Sequence, residues 1–419
     1  MEQVIKQRIA DIQRGDVPAG YQKTKSGIIP ADWQEVCFGD ILHNQVRKVA
    51  KPQTAYWRLG VRSHAKGTFR EFVEDPTTVN MDELYSVQAN DLVVNITFAW
   101  EHAIAIVNEE DSGLLVSHRF PTYVLNENAF ADFYKYIITQ KWVKEQLDLI
   151  SPGGAGRNRV MNKNAFLKIP CYAPTLEEQR QIAKILGCCD RVIALKKELI
   201  AEKKKQKKAL MQKLLNPDSG FRLPGFSGEW KNIVLEDICS FAGGGTPDTK
   251  REDFWNGTIP WISSADVEEK NFSVNPHRFI TTEAIKFSAT QLCPQESLLI
   301  VSRVGVGKIA IAQEPLCTSQ DFTNLTKING NVIFYAYLLK TILEAKARQT
   351  QGTSIKGITV AEIKHFQLAV PQSQKEQKAI ADILSAADKE IDLLEQALVQ
   401  QELKKKSLMQ LLLTGIVRV

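Results

Sequence analysis

Two stretches of the chain carry apolar residues at helical spacing for far longer than any other. From Thr175 to Leu215 and from Gln372 to Leu413, Ile, Leu and Ala recur every three or four positions among Glu, Gln and Lys, with no Gly or Pro apart from Gly187. Each stretch predicts one helix, and about forty residues at 1.5 Å rise make a rod roughly 60 Å long. A rod of that length needs a partner along it. The stripe Ile182, Ile185/Leu186, Cys189, Ile193 in the first and Ile380, Ile383/Leu384, Ala387, Ile391, Leu394 in the second are matching seams, which predicts an antiparallel coiled pair.

Ahead of each rod the pattern changes. Asp91 to Ile96 and Ser297 to Val301 are short apolar runs of strand type, set among Gly, Pro and Asn turns and scattered aromatics. Each such segment predicts a compact, loop-rich domain of about 140 residues.

The two halves are copies. Trp33, followed by Asp40-Ile41, returns as Trp230 followed by Asp237-Ile238, and Phe133-Tyr134-x-Tyr136 returns as Phe334-Tyr335-x-Tyr337. Glycine-bearing stretches follow, Gly153 to Arg159 and Gly352 to Gly357, and then an apolar segment ending at Pro174 or Pro371. Glu178-Gln179-x-x-Ile182-Ala183-x-Ile185-Leu186 matches Glu376-Gln377-x-x-Ile380-Ala381-x-Ile383-Leu384, with Asp190 matching Asp388. Leu210-Met211-Gln212-x-Leu214-Leu215 likewise matches Leu408-Met409-Gln410-x-Leu412-Leu413. The offset holds at roughly 200 residues from end to end, and chance similarity would drift within a few positions.

The fold expected is therefore α+β: two tandem loop-rich α/β domains, separated and joined by two long antiparallel coiled-coil helices, as a pseudo-two-fold internal repeat. The expected boundaries are 1–173 for the leader and first domain and 174–218 for the first helix. The second domain should span 219–370 and the second helix 371–419.

Composition narrows the class without deciding it. With 44% hydrophobic and 24% charged residues in 419, the chain reads as an ordinary globular protein. The start Met1-Glu2-Gln3-Val4-Ile5-Lys6 is not a signal peptide, and Leu298–Val301 and Leu411–Leu413 are far too short to span a membrane, so a cytoplasmic protein is expected. Seven cysteines without Cys-x-x-Cys or Cys/His spacing read as core thiols, with neither disulfide framework nor zinc. The net charge of +5 is compatible with a polyanionic partner.

Several motifs mimic catalytic sites. Phe241-Ala242-Gly243-Gly244-Gly245 fits a Phe-x-Gly-x-Gly S-adenosylmethionine loop, but Thr246-Pro247 stands where a helix should begin, and no Asn-Pro-Pro-Tyr-type tetrapeptide occurs. Gly305-Val306-Gly307-Lys308-Ile309-Ala310 is followed by a strand-like segment and Pro315, which predicts a hairpin turn and not a dinucleotide loop. Pro247-Asp248 with Glu268-Glu269-Lys270 fits a loose nuclease pattern, yet no hydrophobic strand carries Glu268, so a solvated loop is expected. The runs Lys203-Lys204-Lys205, Lys207-Lys208 and Lys404-Lys405-Lys406 point around their helices and are expected to be solvated. Six scattered histidines suggest no metal or acid–base role.

The second domain opens with Gly243-Gly244-Gly245-Thr246-Pro247, then Phe254-Trp255-Asn256-Gly257-x-Ile259-Pro260-Trp261-Ile262. This closely resembles the opening of many target-recognition domains in type I restriction-modification specificity subunits. The Glu-Gln-x-x-Ile-Ala-x-Ile-Leu helix starts resemble their spacer regions. The resemblance implies a non-catalytic subunit in which each domain reads one half of a split site in double-stranded DNA. It also implies two modification (methyltransferase) subunits on the helices and restriction subunits through them. No cofactor belongs to this chain on that reading: S-adenosylmethionine sits on the modification subunits, ATP and Mg on the restriction subunits. The alternatives are a self-contained DNA methyltransferase or nuclease, disfavoured by the missing tetrapeptide, and a protein-only coiled-coil adaptor, disfavoured by two large loop-rich domains.

Sequence readout requires polar or forked donors on ordered loops that enter a groove. In the first domain the candidates are Arg62, His64, Lys66, Arg119, Arg157, Asn158 and Arg159. In the second they are Thr246, Lys250, Arg303, Lys308, Gln320 and Lys356.

Overall fold

The computed structural model describes residues 2–24, 27–153, 159–268, 270–303, 306–349 and 357–419. Contacts divide the chain into two units, Met1–Ala194 with Val399–Val419, and Leu195–Leu398.

The first unit is built on a four-stranded antiparallel sheet of β1 (Leu42–Asn44), β2 (Leu92–Val94), β3 (Ile104–Ile106) and β4 (Thr122–Leu125), in the order β3-β2-β4-β1. The run read as a strand, Asp91 to Ile96, holds β2, and all three of its residues are buried. A strand apolar on both faces must lie between two layers. Leu92 and Val94 join a cluster with Phe38, Tyr123 and Phe133, while Val93 joins Leu59, Val61 and Val116 of a second, five-stranded sheet. At the base of the domain, Gln34–Cys37 pairs antiparallel with Pro170–Ala173, immediately ahead of the first long helix.

The second unit repeats this plan with β5 (Ser240–Gly243), β6 (Leu298–Val301), β7 (Ile309–Ile311) and β8 (Phe322–Thr326), in the order β5-β8-β6-β7. Here too the central strand splits by period two: Leu298 and Ile300 pack with Phe334 and Tyr337, Leu299 and Val301 with Ile262 and Leu316. Trp230–Val234 pairs with Gln367–Pro371 at the base.

The long helices are Leu176–Leu214 and Gln374–Leu412, 39 residues each. The repeated glutamine explains how each begins. Gln179, buried, donates to the Asn128 and Pro174 carbonyls and accepts from the Phe130 N–H. Gln377 donates to the Pro371 carbonyl and accepts from the Asn331 N–H. One side chain thus satisfies backbone groups of domain and helix together.

Within the first unit, Ile182 and Leu186 pack with Leu408, Met409, Leu412 and Leu413, and further along Asp190 meets Lys405, so the two helical segments run antiparallel. Within the second, Ile380 and Leu384 pack with Leu210, Met211 and Leu214, and Asp388 meets Lys207. The seam residues Ile182, Leu186, Cys189, Ile193, Ile380, Leu384 and Ile391 are buried. Ile383 is 37% exposed: Leu384 takes the inward position of that pair.

The same polar clasp closes both helix pairs. The Tyr136 hydroxyl donates to Asp190 at 2.7 Å, Lys405 donates to the other Asp190 oxygen at 2.5 Å, and its ammonium lies 5.3 Å from the Tyr136 ring centre. In the second unit the Tyr337 hydroxyl donates to Asp388 at 2.6 Å, Lys207 donates to Asp388, and its ammonium lies 5.3 Å from the Tyr337 ring centre. Burial, and then the adjacent carboxylate, pushes both phenols above the ordinary tyrosine range. The lysine runs therefore need a correction. Lys207 and Lys405 are clasp members, Lys203 pairs with Glu390 and Lys204 with Glu395 across the helix pair, while Lys205, Lys208, Lys404 and Lys406 are exposed as expected.

A buried glutamate anchors each helix start. Glu178 accepts from Trp33 Nε1 at 2.8 Å and from Arg418, whose fork also grips Asp32. Glu376 accepts a two-pronged contact from Arg222 at 2.6 and 2.7 Å. Among the cysteines, Cys171, Cys189, Cys293 and Cys317 are buried thiols, but Cys188 is exposed, because neighbouring positions on a helix face different ways. Among the described residues no helix is long and apolar enough to cross a membrane.

Candidate nucleic-acid interface

In an antiparallel sheet the end of one strand adjoins the start of its neighbour. The ends of β1 and β2 and the starts of β3 and β4 therefore lie along one edge, and the connections 95–103 and 117–121 gather there. The turn between Tyr56–Val61 and Thr68–Val73 joins them, since His64 N–H donates to the Glu101 carbonyl and Ala65 N–H to that of His102, both at 2.8 Å. To make that contact, His64 and Ala65 adopt left-handed backbone, φ 61° and 50°.

This geometry brings Arg62, His64, Lys66 and Arg119 to one edge, all exposed. Arg119 sits in the 117–121 connection, its carbonyl accepting from Ile96 N–H, and its guanidinium has no partner among the described residues. Arg62 is held more firmly, donating to the Thr68 carbonyl and lying over the Phe69 ring. Met161 N–H donates to the Ile96 carbonyl, which draws in the stretch that follows the helix Lys141–Leu149. There Arg159 is engaged by the protein: it donates to the Ser151 and Asp148 carbonyls and the Asp148 carboxylate, and lies over the Trp100 ring. Arg157 and Asn158 lie outside the described residues. A cavity of about 480 Å³ opens beside Arg119, walled by Phe98, Phe120, Asn95 and His118 among others.

The second unit makes the equivalent edge from the ends of β5 and β6 and the starts of β7 and β8. It carries Thr246 after β5, Arg303 after β6, Lys308 before β7 and Gln320 before β8. Thr246 and Gln320 touch, the threonine hydroxyl donating to the glutamine Oε1. Arg303 is exposed, and Ser302 beside it is tied to the Asp321 carbonyl through both backbone and hydroxyl. Lys250 lies further along the loop, which Asp248 caps by accepting from Lys250 N–H. Lys356 lies outside the described residues.

The glycines of the resembling motif have packing reasons. A Cβ on Gly244 would stand 1.9 Å from the Ser319 carbonyl oxygen, and one on Gly257 1.8 Å from that of Ile280. The Phe241–Gly245 stretch runs from β5 into a loop, and Ile309 to Ile311 forms the expected strand, paired antiparallel with Leu298 to Ile300; Gly305, at the start of the expected hairpin turn, lies outside the described residues. Glu268 accepts from Ser273, and among the described residues no three His, Cys, Asp or Glu side chains are placed to hold a metal. Behind this edge, burial works against the Asp266 charge, but the Ser263 N–H and hydroxyl and Arg278 outweigh it and hold the carboxyl below its usual range.

Sequence reasoning passed over Trp100, His118 and Ser319. Trp100 and His118 flank chosen arginines, and Ser319 adjoins Gln320, but only strand order shows that their loops share an edge.

The model of the type I restriction modification DNA specificity domain matches the chain twice, at residues 30–204 and 227–404. A putative type I restriction enzyme MjaX specificity subunit of Methanocaldococcus jannaschii is 26% identical over 95% of this chain and 97% of its own length. The MjaIX specificity subunit of the same organism is 33% identical, over 44% of this chain and 43% of that protein. The EcoR124I/EcoR124II specificity subunit of Escherichia coli is 32% identical over 53% and 55%. Among solved structures, a chain from a study of complex assembly in the type I R-M system superposes with a TM-score of 0.61 at 19% identity, over 93% of this chain and 98% of that one. The HsdS subunit from Thermoanaerobacter tengcongensis gives 0.52 at 18%, over 93% and 98%.

Proposed function

The chain belongs to the type I restriction-modification DNA specificity family, and from that premise we propose that it reads a split DNA site, one half with each recognition edge, for catalytic partners that it holds on its long helices. The observation that carries the reading is the doubling of the edge. The same four-stranded order gathers polar residues at one end of the sheet in each unit, and each base is fixed to a long helix through a buried Glu-Gln pair. Loops on a rigid scaffold are where such recognition is built.

Both helices also carry exposed apolar side chains, Val192, Leu195 and Leu199 on the first, Leu393, Val399 and Leu403 on the second. Surface of that kind suits protein docking. On this reading two modification subunits dock there and bring S-adenosylmethionine, and restriction subunits bring ATP and Mg, so the chain itself performs no chemistry. Double-stranded DNA is contacted through arginine, lysine, glutamine and threonine of the two edges, in the cytoplasm.

The test is methylome sequencing of cells carrying the modification subunits, with and without this gene. A gene-dependent methylated motif made of two short specified halves around an unspecified spacer is expected. A continuous motif, or none that depends on the gene, would overturn the proposal.

A further inference from the structure

At the second edge, Thr246 and Gln320 come from separate loops and form one hydrogen-bonded unit at the surface. Their positions are set from below. Gly245 N–H donates to the Thr318 carbonyl at 2.8 Å, and its own carbonyl accepts from the buried Trp261 Nε1 at 2.9 Å. A Cβ at Gly245 would stand 2.5 Å from the Ala289 carbonyl carbon, so the loop threads a gap that only glycine fits. Pro247 is buried on the other side of Thr246. On the glutamine's side, Ser319 N–H donates to the Ile262 carbonyl at 2.9 Å and Phe322 N–H closes the turn on the Ser319 carbonyl.

The polarity of this contact has a chemical consequence. A free glutamine amide presents an acceptor and two donors, the set that matches adenine N6 and N7 together. Here the threonine proton takes one of the two Oε1 lone pairs, while the Gln320 side chain is exposed and its Nε2 has no hydrogen bond among the described residues. The bond turns Oε1 toward Thr246 and fixes the plane of the amide, so the group the pair leaves unengaged for a base is the Nε2 donor. Guanine is the base that presents acceptors side by side in the major groove, O6 and N7.

Resting on the split-site reading, we propose that Thr246 and Gln320 act together as one specificity-determining reader of a guanine major-groove edge, at a single position in the half-site read by the second domain. Thr246 is the positioning residue, and Gln320 makes the contact.

The experiment compares methylomes of cells carrying the modification subunits with the wild-type chain, Thr246→Ser, Thr246→Val or Gln320→Ala. Thr246→Ser retains the hydroxyl and should leave the motif unchanged. Thr246→Val frees the amide oxygen, so one guanine should broaden to accept adenine, with discrimination falling roughly ten-fold or more. Gln320→Ala should lose discrimination at that same position, and the other half of the motif should not move. The inference fails if the two variants change different positions, if Thr246→Val changes nothing, or if the affected base is not guanine. A motif that is not split at all would instead sink the broader reading. For any variant that does not methylate, the assembled complex is titrated with duplexes carrying guanine or 7-deazaguanine at that position. Wild type should lose affinity with the analogue and Gln320→Ala should not distinguish the two; wild-type indifference to the analogue overturns the proposal.

Discussion

Replacing Asp388 with alanine should destabilise the second unit more than any other single change in its clasp. Tyr337 is 2% exposed and its hydroxyl donates to Asp388, with Ser385 as its other hydrogen-bonding neighbour, so the mutation removes the charged acceptor of a buried donor and leaves it only the serine. Losing such an acceptor costs about 1 to 3 kcal/mol. Lys207 loses its carboxylate at the same time. That pair is mostly covered, at 15% and 18% side-chain exposure, so the loss exceeds that of a surface salt bridge but stays below the figure for a fully buried pair. Together the two effects amount to roughly 3 kcal/mol. Tyr337→Phe removes the donor itself and leaves Asp388 paired with Lys207, so about 1 kcal/mol is expected. Asp388→Asn keeps an acceptor for the phenol but loses the charge, and should fall between. Urea unfolding of the full chain would rank the three, and hydrogen exchange in Leu195–Leu214 and Gln374–Leu398 would place the loss at the helix pair. If Asp388→Ala costs no more than Tyr337→Phe, the carboxylate is not the hub of the clasp and the reasoning fails.

Three further outcomes follow from the same contacts. A half-length chain of residues 1–216 should form a dimer in which Lys207 of the second copy takes the place of Lys405 at Asp190, and with modification subunits it should methylate a palindrome; light scattering that shows only monomers, or an asymmetric motif, would refute the equivalence of the helices. The isolated full chain should bind no S-adenosylmethionine in calorimetry, and measurable binding heat would assign part of the chemistry to this chain. Arg418 holds Asp32 below the usual carboxylate range through their hydrogen bonds, so the stability it lends is present above about pH 4 and lost as pH falls through the folded-state value. Arg418→Ala should therefore destabilise the first unit at neutral pH and make its melting temperature less sensitive to acid; an unchanged acid limb would show that Asp32 gains nothing from the arginine.

The repeat was legible because the same physical requirement is written twice. Gln179 and Gln377 bridge a domain carbonyl and a helix start, and Tyr136 with Asp190 does in one unit what Tyr337 with Asp388 does in the other, so substitution is restricted at matching places. Helix length followed from periodicity alone. The fate of the lysines did not, because Lys207 and Lys405 find their carboxylates 181 and 215 positions away, beyond the reach of any local pattern. Arg159 resembled a free reader for a related reason, its partner Asp148 being on a neighbouring helix. Gly244 did carry a usable signal, since a glycine run that no turn conformation requires points to close backbone approach. The recognition edges themselves needed strand order, which residue spacing does not encode.

The arginine that secures the base of the first unit is Arg418, whereas its counterpart in the second, Arg222, lies inside the continuous stretch Leu195–Leu398. A ribosome delivers the chain from its N-terminus, so residues 1–194 emerge first. They nevertheless wait for Val399–Val419 before Lys405 can reach Asp190 and Arg418 can reach Glu178. The second unit, later in sequence, has all its contacts in hand sooner. During synthesis the segments of the second unit are thus all present before the last segment of the first, the reverse of the order in which the two domains appear.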